Sequence, residues 1–143
     1  YYKNMAFPKK YYLYIAWLQS IVAMMGSLFY SEIMQYAPCI LCWYQRIVMY
    51  PLVVILAVGI LRKDQKVYQY VLPFSILGMI IALYHTLLQQ GFLPESAAPC
   101  VAGVSCVVKQ VGYLGFITIP LMSFVSFVLI SVCMYLYKKG VSK

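Results

Sequence analysis

Charge is scarce in this chain, and acidic charge scarcest: the 143 residues hold 11 Lys and Arg but only three Asp and Glu, so that 10% are charged. A soluble domain carries roughly a quarter of its residues as charges. So little polar surface excludes a water-bathed fold and makes lipid the natural solvent for a single membrane domain. Low-complexity tracts and internal repeats are lacking. No basic face interleaved with aromatics is present either, so the net charge of +8 does not point to a nucleic-acid partner. What is present is apolar: 64% hydrophobic residues and a mean hydropathy of +0.83.

The apolar residues fall into four runs. After a basic tail carrying Lys3, Lys9 and Lys10, residues 11–30 contain no charge; at 1.5 Å per residue this makes a helix of about 30 Å, enough to cross a bilayer core. It is too long for a signal-peptide core and lacks an A-x-A cleavage site, so it reads as a retained anchor. Ala16, Ser20, Ala23 and Ser27 lie near one face of it and allow close approach of a neighbour. The second run spans 40–61 and includes Gln45, Arg46 and Pro51; the third spans 67–90, with Pro73, Gly78 and His85; the fourth spans 113–137, with Pro120 and Cys133. The prediction is an all-α bundle of four transmembrane helices, with links at 31–39 and 91–112 on one side.

Four spans put both termini on the same side. Lys3, Lys9, Lys10, Arg62, Lys63, Lys66, Lys138, Lys139 and Lys143 fall on the termini and the second link, against Lys109 on the other two links. The positive-inside rule therefore makes the termini cytoplasmic. Aromatic belts follow, with Tyr30, Tyr36, Trp43, Tyr44 and Tyr113 outside and Tyr11, Trp17, Tyr68, Tyr70, Tyr135 and Tyr137 inside. Val107, Val108 and Val111 around Lys109 suggest a short segment on the bilayer surface.

This topology places Cys39, Cys42, Cys100 and Cys106 together outside the cytoplasm, where disulfides persist. The run Pro38-Cys39-Ile40-Leu41-Cys42-Trp43-Tyr44-Gln45-Arg46 opens the second span. A C-x-x-C in the first turn of a helix meets unpaired N–H groups and the positive end of the macrodipole, which favour a thiolate. Arg46, four residues past Cys42, shares its face. One C-x-x-C on a helix start and one C-x5-C in a Gly- and Pro-bearing link suggest a relay, since thiol–disulfide exchange needs one pair that reaches a partner and one that reaches the final acceptor. Structural disulfides or a four-cysteine zinc site in a non-catalytic scaffold are the alternatives. For Arg46 the alternative is snorkelling to the outer headgroups, and for His85 a hydrogen-bonded packing role. Cys133, deep in the fourth span, reads as an inert apolar side chain.

The Pro38–Arg46 run, the stretch Tyr84-His85-Thr86-Leu87-Leu88-Gln89 closing the third span, and a cysteine pair in the following loop resemble the DsbB/BdbC disulfide-bond formation proteins. The short cysteine loop is similar to the BdbC-like, Gram-positive type. The resemblance implies a bacterial cell-membrane enzyme, a protein-disulfide:quinone oxidoreductase. Such an enzyme re-oxidises an extracytoplasmic thioredoxin-like thiol oxidase (DsbA/BdbD-like) and passes the electrons to menaquinone or ubiquinone. It implies redox-active disulfides Cys39–Cys42 and Cys100–Cys106, with Cys100 attacked by the partner and Cys42 next to the quinone. Arg46 and His85 are the implied quinone-site residues. Gln45 stands where longer-loop members usually carry a glutamate, so acid–base roles at that position do not transfer. In the vitamin K epoxide reductases, which share a four-helix quinone site, the C-x-x-C follows the loop pair; here it precedes it.

Overall fold

The computed structural model describes residues 8–35, 39–94, 96 and 118–142 of the protein. Cys100 and Cys106, the surface segment around Lys109, and the belt residues Tyr36 and Tyr113 lie outside the described residues. The four helices are α1 (Lys10–Leu28), α2 (Ile40–Leu61), α3 (Tyr68–Gln89) and α4 (Ile119–Val141). All four are long and apolar enough to cross a membrane; the 22 residues of α2 amount to about 33 Å. The chain is an all-α membrane bundle.

Local chemistry sets the helix ends. Cys39 is the extended residue capping α2, which then runs unbroken through Pro51, a residue that membrane helices tolerate where neighbours satisfy the freed carbonyl. α2 and α3 both close with paired turn bonds. At the end of α2 the Asp64 amide donates to the Gly59 carbonyl and the Lys63 amide to Ile60; at the end of α3 Phe92 donates to Leu87 and Gly91 to Leu88. Both closures need one left-handed residue, which α3 supplies with Gly91 (φ 83°) and α2 with Lys63 (φ 53°).

Two ends differ from the hydropathy reading. α4 opens at 119 rather than 113, because Thr118 is extended and Pro120 occupies the first turn, the helical position that suits a residue without an N–H. It continues past 137 because Lys138 and Lys139 complement the negative end of the dipole in its last turn. α1 is prolonged by a π-helical turn, Phe29–Ile33, where the sequence suggests a link.

α1 and α3 each pack against both α2 and α4, closing a four-helix ring. Lys9 abuts Gly140, and the Tyr137 hydroxyl donates to the Asp64 carbonyl at 3.4 Å. The start of α1, the α2–α3 turn and the end of α4 therefore share one end of the bundle. Cys39, His85 and Ile119 belong to the other. Tyr137 is thus buried rather than part of an aromatic belt, and Trp17 packs on the core; Trp43, Tyr44, Tyr11, Tyr70 and Tyr135 do face outward.

The core is Leu52, Leu56, Val71, Ala82, Phe127, Ile130 and Met134, all fully buried. Gly78 seats the Phe127 ring against α3, where a methyl group would overlap it. The small-residue stripe of α1 divides: Ala16 and Ser20 are buried in the packing, while Ala23, Gly26 and Ser27 line an opening towards the other end. Serine bonds join helices across the interior, with Ser131 Oγ donating to Ser75 Oγ at 2.9 Å and Gln19 Nε2 to Ser126 Oγ at 3.1 Å.

Candidate functional site: a dithiol between a histidine and a cavity

Cys39 and Cys42 are one helical turn apart at the mouth of α2, and their sulfurs lie 3.5 Å apart as free thiols. That is a hydrogen-bonding separation, well beyond the covalent distance of about 2.05 Å. The cap position keeps Cys39 outside the first helical turn and aims its sulfur across at α3. Cys42, on the helix proper, packs beside it and also lines a cavity.

Two surroundings result. On the α3 side, Cys39 packs with Leu41 and Leu88 in a small apolar cluster joined by Tyr84 and Leu93. Leu93 follows the Gly91 turn, so the start of the 91–112 link packs on this cluster. The fully buried His85 places Nε2 3.6 Å from Cys39 Sγ. On the other side, α1, α2 and α4 enclose a partly open cavity of about 330 Å³, in the lower range of small-molecule sites. Cys42, Gln45, Arg46, Met49 and Tyr50 line it from α2, Ser27 and Tyr30 from the α1 end, and Met122, Ser123, Ser126 and Phe127 from α4.

Arg46 is fixed, not free to extend along the helix. Its Nε donates to Ser27 Oγ at 2.9 Å and its Nη2 to the Ser27 carbonyl at 3.1 Å, while Cζ lies 5.4 Å from the Trp43 ring centroid. These bonds join α2 to the last turn of α1, just before the π-helical turn. Arg46 also lines the cavity.

The structure brings Cys39, Cys42, Arg46 and His85 to one end of the bundle, but it separates the last two. Arg46 lines the cavity. His85 does not; it lies behind Cys39, because its ring is held at Nδ1 by Gln45 Nε2 at 3.0 Å. Gln45 is the residue the sequence does not reveal as important: 5% exposed, it lines the cavity and also bonds His85, coupling the two surroundings of the pair. With Gln45 Nε2 donating to Nδ1, the imidazole proton resides on Nε2, which faces both Cys39 Sγ at 3.6 Å and the Gln89 amide at 3.4 Å. The amide and tautomer follow from the hydrogen-bond network.

Charge at Cys39 is well supported. Its thiol is held well below the ordinary range, at about 4, first by the hydrogen bond from the Cys42 thiol, against the opposing effect of burial, and then by His85. The helix N-terminus adds the Cys42 backbone N–H. Cys133 is half-buried on α4, against the core.

The family profile described as "Disulfide bond formation protein DsbB" matches residues 9–137. Disulfide bond formation protein C of Bacillus subtilis (strain 168) is 46% identical, over 89% of this chain and 92% of that protein. The probable disulfide formation protein C of Halalkalibacterium halodurans is 48% identical, over 82% and 86%. The SPbeta prophage-derived disulfide bond formation protein B of B. subtilis is 47% identical, over 89% and 84%. No solved structure matches the chain.

Proposed function

The chain belongs to the DsbB disulfide bond formation family, and on that premise we propose that it re-oxidises an extracytoplasmic thioredoxin-like thiol oxidase and delivers the electrons to a membrane quinone, menaquinone or ubiquinone. The observation that carries this reading is the setting of one dithiol: Cys39 packs in a cluster with Leu93, at the start of the 91–112 link, and Cys42 lines a cavity. A disulfide staple or a non-catalytic scaffold has no use for such an arrangement.

The residues of the cavity fit a quinone. Its apolar wall suits a planar ring, Arg46 offers N–H groups to an oxygen, and Tyr50 Oη is a buried donor with no partner among the described residues. Arg46 and Tyr50 are four residues apart and so lie on one face of α2. A bound quinone supplies a two-electron, two-proton acceptor.

The protein's own steps are exchanges of sulfur. The Cys100–Cys106 disulfide is attacked at Cys100 by a thiolate of the reduced partner, and resolution of that mixed disulfide leaves Cys100 and Cys106 as thiols. One of these, as thiolate, attacks Cys39 of the Cys39–Cys42 disulfide; the S–S bond breaks and Cys42 leaves as thiolate beside Arg46. Resolution forms Cys100–Cys106 again and frees Cys39. Two electrons thereby move inward and no atom is lost. The link reaches: Cys100 is seven residues beyond Leu93, or up to roughly 25 Å of extended chain. When Cys39 is released, Nε2–H of His85 stabilises its charge. Leu41 and Leu88 keep water from the sulfur. The driving force is the difference in reduction potential, about 1.4 kcal/mol for each 30 mV.

The excess of Lys and Arg at the other end of the bundle supports an orientation with this end outside the cytoplasm and the termini inside. The test is quinone reduction by the purified protein supplied with a reduced thioredoxin-like oxidase. Turnover is expected for the native chain and lost in Cys42→Ser; full turnover in that variant refutes the assignment. With Cys106→Ser, a mixed disulfide between Cys100 and the partner is expected to accumulate.

A further inference from the structure

Three donor atoms at this site meet a geometric condition that electron transfer does not require. The sulfurs of Cys39 and Cys42 and a ring nitrogen of His85 all lie within 4.8 Å of one another. A tetrahedral zinc ion, with bonds of about 2.3 Å to sulfur and about 2.05 Å to nitrogen, separates its ligands by about 3.8 Å (S to S) and about 3.6 Å (S to N). The observed Cys39–Cys42 separation is 3.5 Å and the Cys39–His85 separation 3.6 Å. Two of the three edges of the coordination face already stand within a few tenths of an ångström of their bonded values.

We propose that Cys39, Cys42 and His85 form a thiolate–imidazole site for a soft divalent cation, Zn²⁺ being the natural occupant, which closes only in the dithiol state. Such an ion draws on two thiolates and one neutral imidazole, all borderline-soft donors it prefers. No fourth Cys, His, Asp or Glu joins the group among the described residues, so water takes the remaining position.

The surroundings supply the second requirement, an orienting partner for the imidazole. A ligating histidine donates its other N–H to a nearby acceptor. Gln45 stands 3.0 Å from Nδ1 and meets this need by turning its amide over, so that Oε1 accepts from Nδ1–H; the imidazole Nε2, which the Gln89 amide approaches at 3.4 Å, exchanges that contact for the ion. The imidazole proton moves from Nε2 to Nδ1 by way of solvent, the proton remaining on the dithiol leaves to solvent, no electron is transferred, and the ion holds both sulfurs as thiolates. Neither can then join a disulfide. Oxidation removes the site, because a disulfide has no thiolate to offer. The ion therefore arrests the reduced enzyme selectively.

The experiment uses the full chain carrying Cys100→Ser, Cys106→Ser and Cys133→Ser, so that Cys39 and Cys42 are its remaining thiols. The protein is reduced with a phosphine and titrated with Co²⁺, then with Zn²⁺. One Co²⁺ per chain is expected, with thiolate-to-metal charge transfer and the intense visible bands of a tetrahedral ion, both displaced by Zn²⁺ and absent after oxidation of the pair. Gln45→Leu is expected to weaken binding about 10- to 100-fold, and His85→Gln, which keeps a polar side chain and is checked for native helicity, by more. Absence of binding overturns the proposal, as does equal affinity in the oxidised protein or a tetrahedral spectrum and affinity unchanged in His85→Gln. Because the readout is metal binding, it stands apart from the quinone assay.

Discussion

Replacing Arg46 by alanine separates the two roles an arginine near a helix end can have. In the structure its guanidinium is held to Ser27 by bonds of 2.9 and 3.1 Å and lines the cavity beside Cys42. A hydrogen bond from a charged donor is worth about 1.5–3 kcal/mol, so losing the one that Arg46 gives an acceptor oxygen raises the apparent KM for quinone roughly 10- to 150-fold. Because that bond serves binding, kcat at saturating quinone falls much less. Ser27→Ala leaves the charge but removes the hydroxyl that fixes it, at about 0.5–1.5 kcal/mol, and raises KM only a few-fold to about tenfold. Arg46→Lys does not restore the native value, since an ammonium cannot grip Ser27 through two nitrogens while facing the cavity. The assay is steady-state quinone reduction in detergent or nanodiscs, with helicity and membrane insertion measured in parallel. Unchanged quinone kinetics in Arg46→Ala, with native insertion, would refute the reasoning and return Arg46 to anchoring at the headgroups.

Three further outcomes are expected. Gly78→Ala puts a methyl group into the buried Phe127 ring, costing about 1–3 kcal/mol and pushing that ring towards the cavity; thermal unfolding should fall and quinone KM rise, whereas a native melting temperature would show that Phe127 is not held against α3. Tyr50→Phe removes a buried hydroxyl with no partner among the described residues; stability should hold or improve while quinone affinity drops about fivefold, for a bond of about 1 kcal/mol, and unchanged affinity would remove Tyr50 from the site. Cys39, held at about 4, is thiolate above that pH, so its alkylation by a small reagent in the reduced protein should stay flat from pH 8 to 5 and decline only as pH falls through about 4. An ordinary thiol, near 8.5, would already lose reactivity tenfold for each unit below 8.

The bundle was legible because lipid imposes a simple rule: about 20 apolar residues per crossing, met four times here. Hydropathy does not see φ and ψ, so it missed the extended Thr118 that delays α4 and the π-helical turn after Leu28. It also counted Tyr137 and Trp17 as belt residues, although the packing of the ring turns both inward. At the site, spacing alone put Cys42 and Arg46 on one face, since four residues make one turn. The partition between the two faces of α2 was not legible. His85 and Gln45 are 40 residues apart, and only the α2–α3 packing shows that their bond draws the imidazole behind Cys39 and away from the cavity. The resemblance to disulfide-bond formation proteins implied a histidine near the acceptor; the structure puts its imidazole 3.6 Å from the Cys39 sulfur and in contact with Gln45, which lines the cavity.

The central claim is that the Cys39–Cys42 dithiol itself delivers two electrons to an acceptor in the adjoining cavity. It is tested most directly by a single-turnover measurement without a partner protein: the chain carrying Cys100→Ser, Cys106→Ser and Cys133→Ser is reduced, freed of reductant and mixed anaerobically with quinone. One quinol per chain is expected, with the Cys39–Cys42 disulfide formed at the same rate and neither product in Cys42→Ser. Quinol formed equally in Cys42→Ser, or no quinol from the intact pair at saturating quinone, would contradict the account.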